Sequence, residues 1–277
     1  MKNVIVISFV FALLMACNSS KTEGEAAYPN SEVFNHDWAM NSLWEDGQAE
    51  VAHYNAQRVV YGKVREYDYA FITVKEEFNE AYNVKTDNYE RSDLFSVMKV
   101  NKFARLETDN YPYQYLTSLF YKREKPEQLY KMTHTGQEWC GNTFKQFTLT
   151  STGYDYDYNS YFDGYGDGEI KIDGTEMLWE DQLSYVLRTL KFEEGLQFRK
   201  PVVESQINTK ARTPNIYNAQ FAVANRDSVW QVEVSLAEGK TNVYTFEKTY
   251  PNLMLSQQTW DGQNLRLKEV SRYQYWR

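Results

Sequence analysis

The sequence predicts a mainly β protein, a curved antiparallel sheet or half-barrel meander with one amphipathic helix and a second, shorter helix near the start. Three observations lead there. Beyond residue 49 apolar residues recur with a period of two, the strand period. β-Branched and aromatic residues are abundant, with 23 Tyr, 15 Phe and 7 Trp in 277 residues, and such side chains fit a pleated, half-buried surface. Short Gly, Asp, Asn and Pro connections separate the runs, as antiparallel hairpins require.

Taken in order, His36–Trp44 predicts the short N-terminal helix, and Glu50–Val64 with Tyr69–Phe78 a hairpin turning at Arg65–Asp68. Val97–Leu106, Tyr115–Tyr121, Leu129–Thr133 and Phe144–Thr150 read as shorter strands. Tyr154–Glu169 alternates Tyr with Asp before a glycine-rich tip, which predicts a hairpin with Tyr on one face and Asp on the other. Leu178, Leu183, Val186, Leu187 and Leu190 share a helical stripe behind Thr175, a suitable N-cap. A helix over about 175–190 follows. The last third is the cleanest: Ala219–Ala224, Val229–Leu236, Asn242–Glu247, Leu253–Thr259 and Leu265–Tyr275 form a five-strand meander. A strongly curved sheet of this kind places the helix against an opening, where ligands often enter.

The start of the chain reads as an address. Lys2 is the one charge before Cys17, and Val4–Ala16 is apolar except for Ser8. That stretch is too short to span a bilayer, which needs about 20 residues. Leu14-Met15-Ala16-Cys17 resembles the bacterial lipobox, which implies cleavage before Cys17 and lipidation of its thiol. The division expected is a signal peptide at 1–16, a flexible tether at 17–35 and one β-rich domain at 36–277. Cys17 onward is polar and cannot bury a core. Asn at position 18 lacks the aspartate of an inner-membrane retention signal, so an outer-membrane lipoprotein of the cell envelope is expected. Its membrane contact is the lipid on Cys17.

The formal charge of −8 (30 basic against 38 acidic residues) argues against nucleic acid as a partner, because phosphate binding requires a basic surface. Two cysteines exclude a disulfide-stapled scaffold and multi-cysteine metal sites. Phosphate-binding glycine loops and serine elbows are absent, and no cofactor is implied. His36, His53 and His134 are scattered. Adjacent acid pairs such as Glu76-Glu77 point to opposite strand faces and do not cooperate.

Three constellations remain. Gln137-Glu138-Trp139-Cys140-Gly141 holds the one thiol left after lipidation of Cys17, with His134 six residues earlier. A thiolate nucleophile needs a base to lower its pKa, which His134 would supply across a turn. The alternative is a small residue packed beside Trp139 at a turn. Glu138 and Trp139 are candidate binding residues. Asp155, Asp157 and Asn159 match the first three ligand positions of a calcium loop, but Ser160 and Gly166 break the pattern. The bland reading, a Tyr/Asp hairpin, is preferred. The tyrosine excess provides rings for stacking on sugars or lining an apolar cavity, although most must be structural.

The chain resembles a family of uncharacterised bacterial lipoproteins. The likeness rests on Ala49-Glu50-Val51 through Tyr61-Gly62-Lys63-Val64-Arg65-Glu66 and on Tyr111-Pro112-Tyr113 leading to Thr117-Ser118. It continues in Gln137-Glu138-Trp139-Cys140-Gly141-Asn142-Thr143-Phe144 and Trp179-Glu180-Asp181. Members commonly carry the label septum formation inhibitor Maf. Genuine Maf proteins are cytosolic nucleotide pyrophosphatases opening with Ser-x-Ser-Pro-Arg-Arg, and no Ser-Pro-Arg occurs here, so that chemistry is not expected. The leading expectation is a non-enzymatic envelope protein binding an apolar ligand, a glycan or an envelope partner. A Cys140-dependent enzyme and a purely structural or interaction module are the alternatives.

Overall fold

The computed structural model describes residues 33–277; the expected signal peptide, Cys17 and nearly all of the expected tether lie outside them. The wall is one open, strongly curved sheet. Its first strands are β1 (Ala49–Val60), β2 (Lys63–Asn79), β3 (Val84–Lys85), β4 (Leu94–Leu106) and β5 (Tyr113–Lys122). They continue through β6 (Lys131–Glu138), β7 (Gly141–Leu149), β8 (Gly153–Ser160) and β9 (Asp167–Asp173). After β10 (Leu178–Trp179) and β11 (Gln197–Val203) come β12 (Ile216–Arg226), β13 (Val229–Ala237), β14 (Lys240–Glu247), β15 (Met254–Gln258) and β16 (Asn264–Tyr273). The spatial order runs β10 to β16 in sequence, then β1, β2 and β4 to β9, with β3 beside β2. The expected meander is therefore present, and β16 joins it to β1.

Every main pairing is antiparallel except β10 with β11. The free ends of the sheet meet through side chains: the Trp179 ring of β10 packs edge-on to Phe147 of β7 (4.6 Å) and Tyr154 of β8 (5.3 Å). Alternation explains the wall. On β13 Val232, Val234 and Leu236 point inward; on β4 Met98, Val100, Ala104 and Leu106 do.

Several elements depart from the sequence reading. The first hairpin turns at Tyr61-Gly62, not at Arg65–Asp68: both turn residues have positive φ (52° and 72°), the two-residue geometry that matches strand twist and favours glycine. β11 escaped the pattern because Pro201 and the inward-facing Lys200 interrupt its alternation. The expected 175–190 helix shrinks to α1 (Leu183–Val186), flanked by 3-10 turns at Glu180–Gln182 and Leu187–Thr189, while Leu178–Trp179 is strand. Thr175 caps nothing, since the helical turns begin five residues later. Nor does the segment lie amphipathically on a surface. All residues from Leu183 to Leu190 are buried inside the curved wall. At the start, His36–Trp44 forms two 3-10 turns, Trp38–Met40 and Ser42–Glu45. The folded region also begins earlier than residue 36: Val33 and Phe34 are buried, and Phe34 bridges to Leu190.

These N-terminal turns cover one end of the barrel. Arg123 donates two hydrogen bonds to the Ala39 carbonyl (3.0 and 2.7 Å), Tyr250 donates to that of Trp38 (2.9 Å) and Arg272 to that of Leu43 (2.8 Å). The opposite end carries the Tyr61-Gly62 and Trp139-Cys140 turns and is called the rim below.

Candidate functional site

The rim is built by turns that project aromatic rings. Trp139, at the tip of the β6–β7 turn, is 77% exposed and stacks on Tyr111 (5.9 Å, 20°). From Tyr111 a chain of rings descends into the barrel through Tyr113 (5.6 Å), Tyr115 (6.2 Å) and His134 (5.8 Å). Tyr61, from the first hairpin, hydrogen-bonds through its hydroxyl to that of Tyr113. Burial pushes the Tyr115 phenol up to about 12; Glu138, on the His134 face of β6, adds to this while Arg58 opposes it. The loop before Tyr111 is held by Asp109, which accepts from Lys63 (2.6 Å) and twice from Arg65 (2.8 Å each). Those cations keep its carboxyl well below the usual carboxylate range.

Below the rim lies a polar shaft. Lys102 projects inward from β4 between Val100 and Ala104 and donates to the Asp181 backbone carbonyl (2.6 Å). Desolvation lowers its ammonium to about 8, opposed by Asp181. Asp181 accepts from Ser205 Oγ and the Gln206 amide (2.6 Å each), and Glu180 accepts from Asn242 Nδ2 (2.8 Å) and the Ser205 amide (3.1 Å). Lys145, inward on β7, donates to Gln206 O (3.0 Å), Asn208 Oδ1 (3.1 Å) and Gln206 Oε1 (3.4 Å). The chain between β11 and β12 is thereby tied across the barrel. Buried ions held this way are costly to unpair. The cleft remaining between Lys102, Glu180, Asp181, Arg58 and Tyr69 amounts to about 50 Å³, far below the ~300 Å³ that small-molecule pockets start from. The shaft therefore leaves no room for a ligand of that size.

The sequence candidates separate. Cys140 is exposed on the turn and its Sγ lies 3.3 Å from the Tyr111 hydroxyl. His134 is fully buried, with Nδ1 2.8 Å from Thr117 Oγ1. Four residues of strand, about 13 Å at ~3.3 Å per residue, separate His134 from Glu138 before the turn begins. The histidine therefore does not serve the thiol. Burial, then the neighbouring Lys145 charge, lower the imidazole to about 3. Trp139 stands exposed on the rim, and Glu138 shares the inward face of its strand. Asp155 and Asp157 lie on the outer face of β8 with Asn159 beyond them, while Tyr154 and Tyr156 point inward. Lys171 Nζ is 3.5 Å from Asp155, and no group of three or more His, Cys, Asp or Glu among the described residues is placed to hold a metal ion.

Sequence reasoning missed Lys102, Lys145, Glu180 and Asp181. The available signal was a lysine at an inward position of an otherwise apolar alternation: Val100-Asn101-Lys102-Phe103-Ala104, and Thr143-Phe144-Lys145-Gln146-Phe147.

No family model matches the chain and no curated protein matches it in sequence. Among the solved structures that resemble it are two proteins of unknown function. One is a beta-barrel-like protein of the domain of unknown function DUF1849 from Brucella abortus, 8% identical, with a TM-score of 0.48 over 82% of this chain and 98% of that one. The other is a DUF1089 family protein from Pseudomonas aeruginosa, 13% identical, with a TM-score of 0.37 over 57% of this chain and 82% of that one. The barrel-like class rests on this chain's own strand pairing.

Proposed function

We propose that this chain is a non-enzymatic, lipid-anchored protein of the bacterial cell envelope that docks a partner protein through its aromatic rim. The observation that carries the reading is Trp139, held out to solvent by its stack on Tyr111 at the mouth of a barrel whose interior is already filled. Exposed Trp and Tyr held rigidly are the side chains that supply most binding energy at protein interfaces. The outer wall beneath the rim extends the apolar surface. Phe103, Leu116, Thr135 and Phe144 occupy one cross-strand row on β4 to β7, and the three apolar members are exposed. A partner with an uncharged, apolar contact face fits this surface.

The lipobox-like Leu14–Cys17 supports anchoring at the outer membrane. Against an enzyme stand the separation of Cys140 from His134 and the saturation of the Glu180 and Asp181 carboxylates by donors.

Replacing Trp139 by a photo-crosslinking phenylalanine analogue in growing cells tests the docking. One envelope protein should be trapped in stoichiometric amounts, and Tyr111→Ala should reduce the yield severalfold while the protein stays folded. Absence of any cross-linked species from both position 139 and position 61 sinks the reading. Metabolic labelling with a fatty acid checks the anchor, with label expected in the natural chain and lost in Cys17→Ser.

A further inference from the structure

A concavity lies on the outer wall, where β15, β16, β1 and β2 run side by side. It encloses about 860 Å³. Two neighbouring cross-strand rows of outward side chains form its surface: Gln258, Asn264 and Gln57 in one, Ser256, Arg266 and Asn55 in the other. Partners within a row are ~4.8 Å apart and the rows about 7 Å apart, so the planar end groups stand in a regular grid. The side chains of Asn55, Gln258, Asn264 and Arg266 hydrogen-bond to no described residue. An amide presents a donor beside an acceptor, and a guanidinium presents paired donors.

Chemistry narrows what such a grid recognises. The strands beneath are paired on both sides, so no peptide can add to the sheet here. Tyr67, the aromatic residue at the groove, turns its ring inward to Tyr69 (5.8 Å) and donates no apolar platform. The rows end in Glu66, which accepts from Gln57 Nε2 (2.9 Å), and Asp68, which Lys268 approaches to 3.6 Å; Arg266 adds an unpaired positive charge within the groove. Near-balanced charge favours neither a polyanion nor a polycation. We infer that this groove is a binding site for a neutral saccharide chain, whose neighbouring hydroxyls, each a donor and an acceptor, take up the free amide and guanidinium groups of Asn55, Asn264, Gln258 and Arg266.

The test is titration of the full chain with maltoheptaose, cellopentaose and chitotetraose, followed by saturation-transfer NMR and calorimetry. A polyoxyethylene detergent keeps sugar headgroups out of the sample. At least one oligosaccharide should bind at millimolar concentration. The double variant Asn55→Ala/Asn264→Ala should bind it about tenfold more weakly, the loss expected for a hydrogen bond or two, with an unchanged circular dichroism spectrum. Trp139→Ala should bind it like the natural chain, which separates this site from the rim. Failure of all three sugars to bind, or equal affinity in the double variant, overturns the inference.

Discussion

His134 sits between Met132 and Gly136 on the inner face of β6, where burial and the Lys145 charge hold its imidazole down to about 3. An unfolded chain binds that proton near pH 6.5. Between about 6.5 and 3 unfolding therefore takes up a proton, and the native state loses stability as pH falls through this window. His134→Gln removes the contribution. Urea unfolding at neutral and at mildly acid pH should show the natural chain losing roughly 3 kcal/mol more than the variant between pH 7 and pH 4. An identical loss in both proteins contradicts the assignment. Lys145, lowered to about 7 chiefly by burial, titrates at the upper end of this span in both proteins, so its contribution cancels in the difference between them. At this scale the sequence disclosed which residues are chemically unusual, Cys140 and His134 among them. It did not disclose that the thiol points to solvent and the ring into the core, because inward and outward faces of β6 emerge only once its partners are fixed.

Among elements, the β8–β9 hairpin was legible as Tyr on one face and Asp on the other, since its period of two is written in Tyr154-Asp155-Tyr156-Asp157; that the Tyr face is the inner one came from the structure. What positions it was not legible. Gly153 opens β8 so close to β9 that an added Cβ would lie 1.9 Å from the Ile172 carbonyl oxygen. Gly153→Ala is expected to displace the hairpin base and destabilise the protein by about 2 kcal/mol or more, measured as a lowered unfolding midpoint. The control is Gly164→Ala, where nothing lies within 4 Å of the new atom and little change is expected. The helix illustrates the reverse difficulty. Its leucine stripe was readable, but the flanking Tyr185, Arg188 and Thr189 gave it a polar face that the enclosing barrel in fact buries.

Across the whole molecule, the interior segment and the wall are joined by Arg188, which pairs with Glu50 of β1 through two hydrogen bonds (2.7 and 2.9 Å) and donates to the Pro251 carbonyl (3.0 Å). Both charged groups are buried. Removing one partner strands the other charge, so Glu50→Ala should cost about 3–5 kcal/mol in urea unfolding. Glu50→Leu/Arg188→Met, which removes both charges and keeps volume, should recover most of it. A double variant as unstable as the single one contradicts this view of the pair. The main core cluster runs from Val33 through Trp179 to Leu265, beside a small second cluster of Ala49, Val51 and Val74, and it is assembled from residues far apart in the chain.

By itself the sequence determined the β class, the C-terminal meander, the opposite faces of Tyr and Asp on β8 and the acidic charge that argues against a nucleic-acid partner. Each is written in local periodicity or composition, which neighbouring residues express without knowledge of the rest. Tertiary structure alone decided the two-residue turn at Tyr61-Gly62, the inward lysines, the parting of Cys140 from His134, the filled interior and the polar groove on the outer wall. All of these depend on which strands lie side by side, and curvature and register are set by pairings between segments as distant as Ala49 and Tyr273.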